Sequence, residues 1–184
     1  MGLWITGIIL ILLIVIVICV YNKLVRLRNR VKNQWAQIDV QLNRRFDLIP
    51  NLVEVVKGYA RHEQETLVKI MEVRNVVKEA KTSTECLDAD QQLTSMLPNI
   101  YALAESYPGL TADSNFLELQ RELSDTETKI AYAKQFYNDT VMRYHDGIHQ
   151  FPASVIARIF GFKEKEVISI DDARRQNIKV DMGR

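Results

Sequence analysis

The chain has 184 residues, of which 24 are lysine or arginine and 23 are aspartate or glutamate, so the formal net charge is only +1. This length suits one domain with a real core, and the near-neutral charge gives no reason to expect a nucleic-acid partner. Glycine and proline are scarce, at 7 and 4 residues, whereas good helix formers are plentiful, and this composition favours an all-α protein over a sheet protein.

Residues 2–21, GLWITGIILILLIVIVICVY, carry no charge. A helix of about 20 apolar residues covers the roughly 30 Å of hydrocarbon in a bilayer. A cleavable signal peptide would have a basic n-region and a small-x-small cleavage site, and a lipoprotein signal would need small residues before Cys19; the stretch has neither. The pattern therefore predicts an uncleaved transmembrane helix, with Trp4 and Tyr21 at its two interfaces. Cys19 and Cys86 lie in dissimilar surroundings, which argues against a disulfide framework and for a reducing compartment.

Basic residues follow the apolar stretch at once, and no acidic residue occurs before Asp39. The positive-inside rule therefore places the N-terminus outside and the rest of the chain in the cytoplasm. A solvated helix face is the simpler interpretation of the run, but beside a bilayer we expect anionic lipid headgroups as its counterions. The basic residues expected at the membrane interface are Lys23, Arg26, Arg28, Arg30 and Lys32.

Apolar residues recur every three or four positions from Leu24 to Phe46, and no glycine or proline separates them from the span. This spacing is compatible with one helix that begins in the span and continues into the first helix of a bundle.

Two interpretations of the region around Pro50 remain open. In the first, Arg44 and Arg45 end one helix, Asp47 caps the next, and Pro50 occupies a first turn where its missing N–H costs little. Residues 44–50 are then a hairpin turn between antiparallel helices. In the second, the chain merely kinks. We expect the hairpin.

The next elements have recognisable boundaries. Residues 81–93 are polar and are expected to form a loop. Thr82 with Glu85 fits a capping box at the start of a third helix, although Asp88 is an alternative cap. Pro98 is expected to kink or restart this helix.

The Pro-Gly pair and the capping residues that follow it predict a turn over residues 107–115. Residues 116–148 keep an alternating spacing of three and four for about nine turns, which is typical of a bundle seam or coiled coil. Residues 151–162 then predict a short amphipathic helix.

Together these patterns predict an all-α protein, with one N-terminal transmembrane helix followed by an elongated antiparallel, four-helix-like bundle. The expected division is an anchor over residues 1–22, a cytoplasmic helical bundle over 23–150, and a short amphipathic helix and tail over 151–184. If four helices alternate in direction, the fourth returns to the membrane and delivers the short helix to its surface. That helix is expected to cap the bundle end, to lie in the interface or to contact a neighbouring subunit, through Phe151, Val155, Ile159, Phe160 and Phe162.

Three blocks of the sequence closely resemble the LemA family. They are WAQIDVQLNRRFDLIPNLVEVVKGYARHE (35–63), AESYPGLTADSNFLELQRELSDTETKIAYAKQFYND (104–139) and FPASVIARIFGFKEKE (151–166). The resemblance implies a single-pass protein of the bacterial plasma (inner) membrane with a cytoplasmic helical bundle and no established activity. Some relatives resemble components of envelope-stress or membrane-protease systems, so a partner of that class is an expectation. Pro98 and HDGIH (145–149) depart from the family pattern.

Candidate sites for chemistry are weak. His145 and His149 lie four residues apart on one helix face, a spacing that zinc ligands use, but HExxH and paired CxxC motifs are missing from the sequence. A phosphate-binding glycine loop and GxSxG are missing as well. We therefore expect no enzyme, no cofactor and no metal site.

Certain positions within these blocks are interpreted as solvated faces and caps, or else as buried polar pairs that fix helix register or contact a partner. They are Asn51, Glu54, Glu127, Asn138 and Asp139. Asp47 and Pro50 are expected to be structural, as a helix cap and a first-turn proline. The expected function is a homo-oligomeric scaffold or adaptor at the membrane, which acts through contacts with proteins and with the lipid bilayer. The alternative is a receptor for a small ligand or metal bound within the bundle.

Overall fold

The computed structural model describes residues 2–60, 62–80 and 82–169. In chain order, the helices are α1 Gly2–Tyr59, α2 Gln64–Glu79, α3 Ser83–Glu105, α4 Pro108–Thr111, α5 Ser114–His149 and α6 Ala153–Ile159. No strand occurs in these described ranges. The all-α class predicted from the sequence is confirmed.

The predicted hairpin at residues 44–50 is wrong. Helix α1 runs from the apolar stretch through Pro50 without a break, so Asp47 is not a helix N-cap. An interior proline costs about 3 kcal/mol, because it removes one backbone hydrogen bond and crowds the preceding turn. Apolar burial continues on the same face of the helix on both sides of the proline, and it offsets this cost. The buried side chains are Phe46, Ile49, Leu52 and Val56.

The chain divides into two compact units. Unit 1 comprises residues 1–35 and 133–184, and unit 2 comprises residues 36–132. The boundaries fall inside α1 and α5, so each unit contains part of both long helices. The division expected at residues 22 and 150 separates an anchor, a bundle and a tail by their roles, and it stays a prediction.

In unit 2, α1 and α5 are antiparallel. Tyr59, at the end of α1, donates a hydrogen bond of 2.9 Å to Asp113, just before α5 begins. Arg44, earlier in α1, lies 3.8 Å from Glu122, further along α5. Helix α3 packs against both α2 and α4. The core of the unit includes Ile38, Leu42, Ile70, Leu93, Leu97, Ile100, Leu110, Phe116 and Leu123.

Helix α3 begins at the predicted Thr82 cap, inside the segment that was expected to be a loop. The side-chain oxygen of Thr82 accepts a 3.2 Å hydrogen bond from the backbone N–H of Glu85, which confirms the predicted cap. The long loop predicted over residues 81–93 is wrong, because this cap starts the helix at Ser83. Pro98 lies inside α3, and the helix continues beyond it to residue 105.

The turn over residues 107–115 and the long helix after it are confirmed. A single helical turn, α4, is followed by Asp113, whose Oδ1 accepts hydrogen bonds from the N–H groups of Asn115 and Phe116 at 2.8 and 3.1 Å. Asp113 therefore satisfies amides that have no partner within the first turn of α5.

Unit 1 also pairs α1 with α5. The rings of Trp35 and Tyr137 have centroids 6.0 Å apart. Further along α5, Gly147 faces α1 so closely that an added Cβ would lie 2.7 Å from Leu27 Cδ1 and 3.6 Å from Leu24 Cδ2. Glycine thus permits the close approach of the two helices. The core of this unit includes Leu24, Val31, Val141, Tyr144, Ile148, Ile156 and Ala157.

Candidate functional site at the base of the apolar stretch

The apolar stretch of α1 lies outside the fold. Trp4 is 82% exposed and even Ile16 is 43% exposed. It is the part of the described chain that is long and apolar enough to cross a membrane, judged by length and composition. Continuous apolar exposure of this size requires a non-aqueous environment or a partner. Tyr21 stands half-buried at the other end of the stretch.

Tyr21 joins the apolar stretch to the segment after α5. Its ring centroid lies 4.9 Å from that of Phe160 and 5.8 Å from that of Phe162. The guanidinium carbon of Arg28, two turns further along α1, lies 5.3 Å from the centroid of Phe162. An aromatic cluster capped by a cation therefore fixes residues 160–162 beside the base of the stretch.

Helix α6 has two apolar faces. Ile156 and Ala157 are buried and attach the helix to unit 1. The opposite face points away from the fold, and Phe162 is half-buried. Four of the five residues predicted as contacts lie on or beside this outer face: Phe151 is 85% exposed, Val155 52%, Ile159 71% and Phe160 53%. The structure thus brings an apolar surface next to the end of the apolar stretch.

The basic residues of α1 follow this position along the helix. All five residues predicted for the membrane interface have exposed side chains, and they are Lys23, Arg26, Arg28, Arg30 and Lys32. Arg158, Lys163 and Lys165, in and after α6, are exposed as well. Exposed cations therefore follow the apolar stretch in α1, and Arg28 and Arg158 lie beside the residues of the α6 segment.

Residues 163–168 form an extended segment along α5, which we call the strap. The Tyr144 hydroxyl donates to the Lys163 carbonyl at 2.8 Å, and the Tyr137 hydroxyl donates to the Glu166 carbonyl at 3.2 Å. Burial raises the pKa of both tyrosines, so their hydroxyls remain donors to a higher pH than that of an exposed tyrosine. The strap is thus held through its backbone.

Asn138 makes two hydrogen bonds to one residue of the strap. Its side-chain nitrogen donates to the Ile168 carbonyl at 2.8 Å, and its side-chain oxygen accepts from the Ile168 N–H at 2.9 Å. One amide side chain therefore satisfies both backbone groups of a single residue. Among the predicted structural positions, Asn138 proves to be a positioning residue for the strap.

The two histidines of α5 also contact the strap. His145 Nε2 accepts the N–H of Lys165 at 3.1 Å, and His149 Nε2 lies 2.8 Å from Glu164 Oε1. Among the described residues, no group of three or more histidine, cysteine or acidic side chains is placed to hold a metal ion. The structure therefore gives the pair a role in holding the strap.

A buried charge cluster occupies unit 2. Arg45 is 1% exposed, and its Nη1 donates to Asp90 Oδ1 at 2.7 Å and to Thr94 Oγ1 at 3.0 Å. Its Nη2 lies 3.6 Å from Glu127 Oε2, on α5. The cluster thus links three helices. Burial raises the pKa of the neighbouring Tyr101, while Arg45 acts in the opposite direction.

Sequence reasoning missed this cluster. It treated Arg45 as a cation at a helix end, although the residue lies three positions after Leu42 and four before Ile49, in the apolar stripe. Asp90 likewise lies three positions before Leu93. The signal that could have revealed the cluster was a charged residue, on each of two helices, at a position where the three-and-four spacing calls for an apolar one.

The other predicted structural positions are mostly on the surface. Asp47, Asn51 and Glu54 are exposed, and Pro50 is half-buried. Glu127 has a half-exposed side chain and approaches the buried Arg45. Of these positions, Glu127 thus contacts the Arg45 cluster and Asn138 contacts the strap.

An open depression lies between α2 and α3, and its volume is about 410 Å³. Its lining residues are Thr66, Lys69, Ile70, Met96, Asn99 and Ile100. Because the depression is open and mixed in polarity, it lacks the enclosed apolar character typical of small-molecule sites.

Comparison with known proteins places these features in a family. A sequence profile described as the LemA family matches residues 34–182. The chain is 26% identical over 165 residues to Protein LemA of Metamycoplasma hominis, which covers 85% of this chain and 75% of that protein.

A second similarity is to the Magnetosome protein MamQ of Magnetospirillum gryphiswaldense. The two are 22% identical over 172 residues, which covers 79% of this chain and 63% of that protein. Magnetosome protein MamQ 2 of Paramagnetospirillum magneticum matches with the same identity and the same coverage. The chain therefore spans less than two thirds of the length of these magnetosome relatives.

Proposed function

The chain belongs to the LemA family, and from that premise we propose that it is a membrane-anchored scaffold or adaptor. Helix α1 is the single-pass anchor in the bacterial inner membrane, with its N-terminus outside and the remaining helices in the cytoplasm. One observation carries the proposal: an exposed apolar stretch continues, within the same helix, into an exposed basic run. Apolar side chains suit the hydrocarbon, and the cations suit the cytoplasmic headgroups.

The protein acts through protein–protein and membrane-surface contacts. The names of its relatives, Protein LemA and Magnetosome protein MamQ, are not names of enzymes, which supports a non-catalytic role. Self-association is part of the proposal, because an isolated apolar helix can pack against a second copy within the bilayer. A membrane protein or a membrane-protease system is the class of further partner that we propose.

Labelling of a single cysteine tests the anchor and its orientation. Cys19 and Cys86 are free thiols, so both are first replaced by alanine. We expect a cysteine at the exposed position Ser95 to react with a membrane-impermeant maleimide only after the inner membrane of the cells is permeabilised. A cysteine inserted directly after Met1, ahead of the apolar stretch, is the matched control and should react in intact cells. Labelling of the Ser95→Cys variant in intact cells would contradict the proposed orientation.

The receptor alternative makes a different prediction. A ligand or metal bound within the bundle would raise the thermal unfolding temperature when a panel of such compounds is added. We do not propose this function, because the depression between α2 and α3 is open.

A further inference from the structure

The outer face of α6 lies beside one particular position along α1, near the end of the uncharged stretch. Gly147 of α5, six residues before α6 begins, faces Leu27 and Leu24, which lie six and three residues after Tyr21. On the C-terminal side of α6, Phe160 packs on Tyr21 itself. Three helical residues correspond to about 4.5 Å along the axis. The C-terminal end of the α6 segment is therefore held at the last residue of the uncharged stretch, and α5 approaches α1 within about two helical turns of that residue.

The end of the uncharged stretch is also where the border of a membrane would lie. Residues 2–21 form a helix of about 30 Å, which matches the hydrocarbon thickness, and the basic run starts at Lys23. The apolar face of α6 thus continues the apolar surface of α1 at the border. Tyr21 contacts both surfaces.

We propose that α6 lies in the interface of an anionic lipid leaflet, with Phe151, Val155, Ile159 and Phe160 inserted beside the base of α1. The inference rests on the proposed anchor and adds a second membrane contact to it. Continuity with the apolar stretch and the exposed cations of the basic run select lipid as the occupant. A short helix with apolar side chains on one side and cations beside it is a pattern of interfacial binding.

The cations of the segment have a defined place in this arrangement. Arg158 is exposed on α6, and Lys163 and Lys165 follow it in the strap, where they alternate with Glu164 and Glu166. Because the strap carries both signs of charge, the attraction to anionic lipid comes chiefly from Arg158 together with the basic run of α1.

Spin labels on the full-length chain in lipid nanodiscs test the proposal. The background lacks Cys19 and Cys86, and one label is placed at each of Ile159, Asp139 and Ile11 in separate samples. Asp139 is an exposed position on α5, and it serves as the solvent control in the same unit. Collision with oxygen reports lipid, and collision with a polar nickel chelate reports water.

We expect the label at Ile159 to favour oxygen over the chelate several-fold more than the label at Asp139. Equal ratios at the two positions would overturn the proposal. The label at Ile11 distinguishes failure of the interfacial helix from failure of the membrane anchor. If Ile11 is in lipid and Ile159 is in water, the interfacial helix fails while the anchor stands. If Ile11 is also in water, the anchor fails.

A second copy of the chain is the competing occupant. It would exclude both relaxing agents from Ile159 and would broaden the spectrum through spin–spin coupling that disappears on dilution with unlabelled chain. That result would overturn the lipid contact. We also expect Arg158→Glu to lower the oxygen preference in nanodiscs with phosphatidylglycerol, but not in those of phosphatidylcholine alone. An equal effect in both would contradict the selection of anionic lipid.

Discussion

The two units of the molecule place polar and apolar groups in opposite ways. Unit 2 buries a charged cluster, in which Arg45 and Asp90 are 1% and 3% exposed. Unit 1 keeps its polar contacts near the surface, between α5 and the strap, and exposes apolar side chains on α1 and α6.

The difference separates stability from function. A buried ion pair is costly to desolvate and has stringent geometry, so the Arg45 cluster ties α1, α3 and α5 to one arrangement. Most of the exposed apolar surface of unit 1 has no packing partner among the described residues of its own unit, although Phe160 packs on Tyr21. This surface gains free energy only when a bilayer or a partner covers it. We therefore assign internal register to unit 2 and contact to unit 1.

Replacement of Asp90 should have the largest effect. Asp90→Ala leaves the guanidinium of Arg45 buried without its closest partner, and breaking such a pair costs about 3–5 kcal/mol. We expect the loss of unfolding free energy to lie near the lower end of this range, because Glu127 Oε2 remains 3.6 Å from Arg45 Nη2. Denaturant unfolding of the full-length protein in detergent, followed by circular dichroism, measures the free energy of unfolding.

Arg44 is the matched control for this experiment. Its ion pair with Glu122 is 3.8 Å long and exposed, so Arg44→Ala should cost at most about 1 kcal/mol. An apolar double variant, Arg45→Met with Asp90→Leu, should unfold at a denaturant concentration at least as high as that of the Asp90→Ala variant, because neither charge of the pair remains buried. Equal losses for Asp90→Ala and Arg44→Ala would refute the role of the cluster.

Removal of the Asn138 side chain should have an intermediate effect in unit 1. Asn138→Ala deletes two hydrogen bonds to Ile168, each worth about 1 kcal/mol. Hydrogen exchange should show the Ile168 amide losing protection while the amides of α3 keep theirs. The neighbouring exposed residue supplies the control, Asp139→Ala, which should leave the strap protected. If Ile168 stays protected in Asn138→Ala, Asn138 does not hold the strap.

A pair of glycines compares the two units directly. An alanine Cβ at Gly58 would meet nothing within 4 Å, whereas one at Gly147 would lie 2.7 Å from Leu27 Cδ1. Gly58→Ala should stabilise by about 0.5 kcal/mol through helix propensity. Gly147→Ala should destabilise by about 1 kcal/mol, because Leu27 must move. Thermal unfolding of both variants measures the difference, and two shifts of the same sign would contradict the close approach.

The smallest expected effect is on the ionisation of Asp113. The hydrogen bond from Tyr59 holds the pKa of this carboxyl below its ordinary value, helped by the N–H groups of Phe116 and Asn115. A carboxyl whose pKa is lowered by folding contributes stability at pH values above its ordinary pKa. That contribution is lost as the pH falls through the lowered pKa. Tyr59→Phe should therefore raise the pKa of Asp113 part of the way back. Titration of its carboxyl carbon by NMR measures this, and an unchanged midpoint would exclude the contact.

The sequence was informative where signals are local. The spacing of apolar residues over 116–148 predicted α5, and Thr82 with Glu85 predicted the start of α3, because both patterns act within a turn or two of helix. Pro50 was misread because its local penalty is outweighed by burial of the stripe on both sides, which is a property of the packed fold.

The strap and the Arg45 cluster depend on contacts between distant residues. Asn138 holds a residue 30 positions away, and Arg45 pairs with one 45 positions away. No local pattern encodes such partners. The exposed face of α6 was predicted in part from its amphipathic sequence, but its position beside Tyr21 became visible only in the structure.

The mass of the full-length protein in mild detergent, measured by light scattering at two protein-to-detergent ratios, tests the scaffold most directly. The proposal predicts a defined assembly of several chains whose mass is the same at both ratios. A mass equal to one chain at both ratios would contradict a self-associating scaffold.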